Sequence, residues 1–248
     1  MSMLVTRELA IQTGGRMLIS GLDWSVNRGE LWCVLGRNGA GKSSLLNVLS
    51  GLVQPEAGLI QIAGNRLEAI DLLSLARLRG LMMQQVVDSF SCTVFDAVAI
   101  GRTPLRVGQD WDDEDDAAEV KDALARVGML DRAADDVMRL SGGERQRVAL
   151  AALLAQDVPL MLLDEPTSHQ DVAHQLTVMR LLRDLAQDRA VISTCHDINL
   201  AARFATHALL IGDGFHLAGK VGEVLVPDAL QRAFGCEFSR QGATFIPA

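Results

Sequence analysis

Residues 36–43 read G-R-N-G-A-G-K-S, a match to the spacing G-x-x-x-x-G-K-S/T. These residue types suit one task, holding a chain of phosphates. Gly36, Gly39 and Gly41 let the backbone turn and approach a ligand closely. The backbone N–H groups of Arg37, Asn38, Ala40 and on to Ser44 then face the ligand, and the dipole of a following helix adds positive potential. Lys42 is placed to reach the β- and γ-phosphates, and Ser43 to offer its hydroxyl to Mg²⁺. The chemistry is that of a nucleoside triphosphate.

A strand must feed this loop and a helix must leave it. Residues 30–35 form a short, mostly apolar run suited to a buried strand, and leucines at 45, 46 and 49 have helical spacing. Both elements are where the loop needs them, which tells against an ordinary glycine-rich turn. Ahead of them, 3–12 and 17–26 read as strands separated by Gly14 and Gly15. Beyond, the pattern predicts a strand at 59–63, a helix at 72–78 and a strand at 79–84. Residues 86–140 read as a separate lobe, with a helix at 94–102 ended by Thr103-Pro104 and another at 117–127 capped by Gly128. The acidic run 109–116 reads as a solvated loop and first helical turn. A strand at 159–163, a helix at 171–186, a strand at 190–194, a helix at 197–205, strands at 207–211 and 215–219 and a helix at 227–234 complete the pattern.

The 248 residues suffice for one large α/β domain with a sizeable core. The net charge of −8 argues against a general nucleic-acid binder. Cys33, Cys92, Cys195 and Cys236 lack metal-site spacing and read as reduced, mostly buried thiols, with 33 and 195 in strands. His169 and His174 are poorly spaced for a metal, and His207 and His216 read as surface or packing residues. No apolar run approaches the roughly 18–20 residues that span a bilayer, and the first residues show no signal-peptide core.

Four later stretches sharpen the chemistry. Residues 140–147 read L-S-G-G-E-R-Q-R, in which Ser141 and Glu144 have the spacing of a helix capping box. With Gly142 and Gly143 they make a second anion-type helix start. Residues 160–165 read L-M-L-L-D-E, an apolar strand ending in two carboxylates; Gln84 ends one predicted strand and His196 follows another.

In this order the motifs closely resemble the ATP-binding subunits of ABC transporters, over nearly the whole chain. The resemblance implies an α/β fold: a P-loop NTPase (RecA-like) core with a mainly parallel sheet, an N-terminal antiparallel β subdomain and an inserted α-helical lobe at about 86–140, whose signature helix continues to about 156. It implies that residues 1–248 form a single ATPase domain. Carried over residue by residue, Glu165 is the general base, His196 the switch histidine at the γ-phosphate, and Asp164, with Ser43 and Gln84, serves Mg²⁺. Gln84 also links the site to the lobe, with Gln85 as the neighbouring alternative. Two copies sandwich ATP head to tail, so that Ser141, Gly142 and Gly143 of one close over the P-loop of the other.

Two positions depart from the family pattern. Thr13 stands where an aromatic stacks on adenine, which implies weak base selectivity. Residues 168–171 read S-H-Q-D, so Gln170 replaces an apolar residue at a subunit contact. Residues 196–203 and the tail 222–235 resemble the importers of iron chelates, haem and cobalamin. That branch implies two membrane permease subunits, an indirect periplasmic binding protein, and a peripheral place on the cytoplasmic face of the inner membrane. The permease would dock near residues 84–105. The alternative is a soluble ABC ATPase not coupled to transport. A kinase or GTPase lacks support, since there is no guanine-reading N-K-x-D.

Overall fold

The computed structural model describes residues 2–84, 90–106, 114–168 and 170–247. In chain order, β1 (Ser2–Thr13) and β2 (Arg16–Asn27) form a long hairpin; β3 (Glu30–Leu35) leads into α1 (Lys42–Leu49), and β4 (Ala57–Ile62) and the short β5 (Asn65–Arg66) follow. Then come α2 (Leu72–Leu78), β6 (Arg79–Met82), α3 (Val94–Ala99), α4 (Glu114–Arg126) and α5 (Gly142–Ala155). The second half runs β7 (Leu160–Leu163), α6 (Val172–Leu185), β8 (Ala190–Thr194), α7 (Ile198–Phe204), β9 (His207–Gly212), β10 (Phe215–Lys220), α8 (Val221–Val224), α9 (Pro227–Phe234), β11 (Phe238–Gln241) and β12 (Thr244–Pro247).

The strands sort into an antiparallel sheet, β2-β1-β4-β5, and a six-stranded sheet, β10-β9-β3-β8-β7-β6, parallel except at β10. The inner parallel strands are mostly apolar, and almost wholly buried, because both faces are covered. Side chains alternate between the faces. Leu31, Cys33 and Leu35 of β3, with Met161, Leu163 and Val191, join one core with α3, α4, α5 and α6. Trp32, Val34, Leu160, Leu162 and Ile192 join the other, with α1 and the antiparallel sheet. The sheet is thus the wall on which both halves pack. The helices of the predicted lobe share the first core with the sheet rather than owning a separate one.

Several expectations change. Asp116, read as part of a solvated acidic run, is only 5% exposed and lies between Arg102 and Arg106; it accepts from Arg102 Nε at 2.7 Å. Burial alone would raise its carboxyl, but the two guanidiniums hold it below the usual aspartate value. Residues 109–113 of that run lie outside the described residues. The helix expected to stop at Thr103-Pro104 turns 3₁₀ over Ile100–Leu105, and Pro104 fits within it. The strand expected to reach Gln84 ends at Met82, and Cys195 lies one residue past β8. β5, α8 and the β11–β12 hairpin have too few apolar residues for periodicity to show them. Cys33 and Cys195 are buried as expected, whereas Cys236 is exposed; all the cysteines are free.

Candidate active site

In the larger sheet β3, β8, β7 and β6 are consecutive neighbours. Their carboxyl ends release in turn the loop from Gly36, then His196, then Asp164 and Glu165, and last Gln84. Residues far apart in sequence meet because adjacent parallel strands all deliver their next residue to one edge. A cavity of about 730 Å³ lies there. Asn38, Gly39, Gly41, Lys42, Ser43 and Ser44 line it, together with Gln84, Glu165, Ser168 and His196. Thr13, Arg16 and Leu18 of the β1–β2 hairpin complete the lining.

The loop has the form its sequence predicts. Gly41 is the N-cap of α1 with φ 102°, a left-handed conformation that L side chains rarely adopt. No side chain caps this helix, so its first N–H groups stay available to an anion. At Gly36 an added Cβ would lie 2.3 Å from the Ile211 carbonyl oxygen, so no side chain fits. Lys42 is buried, and its Nζ donates to the carbonyls of Gly36 (2.9 Å) and Arg37 (3.2 Å). Burial pulls its ammonium below the ordinary lysine value, while the carboxylates of Glu165 and Asp164 oppose that shift. Arg37 turns its guanidinium toward Gly235, at the C-terminus of α9, and only its backbone serves the loop. Ala40 is partly buried against the core and closes a turn with the Arg37 carbonyl.

Glu165 is held from every side. Its φ of 52° places a non-glycine residue in the left-handed region, at a cost of about 1–2 kcal/mol. Its N–H donates to Thr194 Oγ1 at 2.7 Å, and its carbonyl accepts from the buried Gln146 Nε2 at 2.8 Å. Its carboxylate accepts from Ser168 Oγ and Gln84 Nε2, both at 2.8 Å, and contacts His196 Nε2. Burial would raise the Glu165 carboxyl; the bonds from Ser168 and His196 and the charges of His196 and Lys42 bring it below the usual glutamate value. Asp164 lies just beneath, 6% exposed, and accepts from Thr194 Oγ1 at 2.7 Å. The Ser43 hydroxyl and the Asp164 carboxylate are hard oxygen donors, and their setting fits Mg²⁺, which takes one or two carboxylates plus phosphate oxygens and water.

Ser141, Gly142 and Gly143 are not in this cavity. They line a second one of about 460 Å³, with Glu144, Arg147, Gln170, Asp171 and His174. The capping box is formed: Glu144 N–H donates to Ser141 Oγ, and the Glu144 carboxylate accepts from the Ser141 N–H at 2.8 Å. Gln85 and His169 lie outside the described residues. His207 stacks on Trp32 at 4.7 Å, which makes it a packing residue, one of the two roles, surface or packing, expected of it.

The fold and site define a P-loop nucleotide cassette. A family model described as ABC transporter matches residues 19–168. The chain belongs to that family. It is 42% identical over 231 residues to the cobalamin import ATP-binding protein BtuD of Halobacterium salinarum, covering 91% of this chain and 57% of that protein. To the hemin import ATP-binding protein HmuV of Pseudomonas aeruginosa it is 39% identical, covering 95% and 93%. To the iron(3+)-hydroxamate import ATP-binding protein FhuC of Bacillus subtilis it is 34% identical, covering 94% and 88%. Among solved structures, an ABC transporter assigned to the metal-chelate type, in an inward-facing conformation, superposes with TM-score 0.85 at 27% identity, covering 100% of this chain and 98% of that one.

Thr194 and Arg16 went unnoticed in the sequence, while Gln146 and Ser168 were read only as parts of the runs 140–147 and 168–171. Thr194 ends a predicted strand and Gln146 sits on a predicted helix, and nothing in either pattern marks a side chain that ties one loop to another. Gln146 lies within the signature run itself, and that was the one available signal.

Proposed function

We propose that residues 1–248 act as one ATP-hydrolysing domain that powers import of a metal chelate through a membrane permease, with 86–140 as its helical lobe. The observation that carries the hydrolytic part is the joint presentation of Lys42, Ser43, Gln84, Glu165 and His196 in one cavity. In this reading Lys42 and the N–H groups at the start of α1 hold the β- and γ-phosphates. Asp164, Ser43 and Gln84 would hold Mg²⁺, which supplies charge neutralisation on the phosphates. Glu165, an ionised carboxylate, takes the proton of the attacking water. His196, bonded to that carboxylate, orients toward the γ-phosphate, and Gln84 reports the state of the site to the lobe. Ser141 and Gly143 act on the nucleotide of a second copy, which makes the working unit a homodimer.

The cargo class is supported by the relatives' names, which specify import of cobalamin, hemin and iron(3+)-hydroxamate. The working complex then has two permease subunits, a periplasmic binding protein acting indirectly, and this chain on the cytoplasmic face of the inner membrane. No helix among the described residues is long and apolar enough to cross a membrane. Met83, Phe90 and Ile100, in or next to the stretch 84–105, are large, apolar and exposed, which supports docking of the permease there. The test is uptake by vesicles carrying the chain with its cognate permease, using cobalamin, hemin and a ferric hydroxamate in parallel. ATP-dependent uptake of one of them, lost in Glu165→Gln, is the expected result. Hydrolysis without any permease-dependent uptake would sink the importer reading and favour a soluble ATPase.

A further inference from the structure

The cavity contains more than a phosphate site. If a nucleoside triphosphate is anchored by Lys42 and Ser43, its base reaches the part of the lining that carries neither the loop nor the carboxylates. That part is Thr13, Arg16 and Leu18. Leu18 is fixed directly against the loop: a Cβ on Gly41 would lie 3.0 Å from the Leu18 Cβ. The end of the β1–β2 hairpin therefore cannot swing away from the phosphates without opening that contact. Across the Gly14-Gly15 turn, Thr13 pairs with Arg16 in register, so the two stand side by side.

A purine is flat, and a flat partner covers its face most fully. Apart from the His196 ring, none of the described lining residues is aromatic, and the chain has no tyrosine. Thr13 offers a short hydroxyl and Leu18 a branched stem. The His196 ring is engaged with Glu165. Among the lining residues of the hairpin, Arg16 alone carries a planar group. Its guanidinium is held at one edge by Asp213 Oδ1 at 3.3 Å, in the β9–β10 turn, while its side chain stays 65% exposed. An exposed pair of this kind adds little to stability. It does bias the guanidinium toward one position at the cavity rim. Planar guanidiniums stack on nucleobases and add cation–π attraction.

We infer that Arg16, positioned by Asp213, is the platform on which the nucleotide's base rests. The inference rests on the phosphate-site reading above. It makes the site a purine binder of low discrimination, because a guanidinium plane stacks on any purine and reads none of its edges.

The test is calorimetric titration with ATP, GTP and inorganic tripolyphosphate, each with Mg²⁺. Tripolyphosphate keeps the phosphates and lacks the base. Arg16→Ala should weaken ATP and GTP binding alike, by roughly 5- to 100-fold, and leave tripolyphosphate binding unchanged. Unchanged tripolyphosphate binding also shows that the variant is folded. Arg16→Tyr should restore ATP affinity, and Arg16→Lys, which keeps the charge and loses the plane, should not. An equal loss for tripolyphosphate would overturn the inference by making Arg16 a phosphate ligand, and unchanged ATP binding would overturn it by placing the base elsewhere. Lys42→Ala separates the two levels: if it retains all three ligands, the phosphate-site reading itself fails.

Discussion

The two cavities of this chain start from the same part, a glycine-bearing turn at a helix N-terminus, and are finished differently. At α1 the cap is Gly41 and no side chain takes a first-turn N–H. At α5 the cap is Ser141, and the capping box uses the Glu144 N–H internally. Around α1 stand a buried ammonium and two buried carboxylates, Lys42, Asp164 and Glu165. The cavity at the start of α5 has no lysine among its described lining residues, and two side-chain atoms there, Arg147 Nε and Gln170 Oε1, are buried without a hydrogen-bond partner among the described residues. The first cavity thus has the anion site, the cation and the base. The second has the acid–base groups Glu144, Asp171 and His174, but Glu144 is taken up by the capping box and Asp171 by His174. Those two atoms, Arg147 Nε and Gln170 Oε1, are enclosed within this chain, so what the second cavity offers a complement is its exposed helix start at Ser141 and Gly142. A second copy, bringing its own first cavity, is the complement the homodimer reading supplies.

That contrast can be broken most sharply at Glu165. Glu165→Gln keeps the shape and removes the base, so hydrolysis should fall by about 10²–10⁴ in a single-turnover assay. The bound ATP then persists, and a ligand that binds only the closed dimer stabilises it by mass action. Light scattering should show a dimer with ATP and a monomer with ADP. Adding Ser141→Arg should remove that dimer while leaving ATP affinity in place. If Ser141→Arg instead weakens ATP binding by the isolated chain, the second cavity serves the chain's own nucleotide.

Lys42→Ala removes the cation of the first cavity alone. Nucleotide affinity should drop on the order of a hundredfold, the scale of losing charge-assisted hydrogen bonds to the phosphates. Titration with ATP measures it, and wild-type affinity would refute the assignment. The same replacement has no counterpart in the second cavity, where Ser141→Ala should act on folding. It should lower stability by about 1 kcal/mol in urea unfolding, the ordinary worth of an N-cap. A much larger loss would mean that the capping box also holds the Arg132 contact to Glu144 in place.

The smallest effect concerns pH. Ser168, His196 and Lys42 hold the Glu165 carboxyl below its ordinary value, so it stays ionised, and a base, through the neutral range. His196→Ala deletes one of the lowering influences, and the pH at which Glu165 takes a proton must rise. The acid limb of the single-turnover pH profile should therefore shift upward, beyond any change in plateau rate. An unmoved limb would mean that His196 does not act on Glu165.

Much of this was legible from residue order. The loop at 36–43, the capping box at 141 and 144, the paired carboxylates after an apolar strand and the αβ alternation are local patterns, set by spacing and by which side chains tolerate burial. Local reading failed where a residue's partner lies far along the chain. Asp116 looked like one more charge in an acidic run, because Arg102 and Arg106 come beside it only when α4 packs near the 3₁₀ turn. Arg16 drew no notice, because the cavity it lines is built from loops that follow β3, β6, β7 and β8.

The sequence by itself therefore determined the chemistry and the parts, since motif spacing dictates which backbone and side-chain groups a strand end and a helix start can present. Only the tertiary structure decided which parts share a cavity. Strand order puts Gly36, His196, Glu165 and Gln84 on one edge and leaves Ser141 in another cavity. The physical reason is that sheet order is fixed by burial of both faces of the central strands, a property of the whole chain that no local pattern carries.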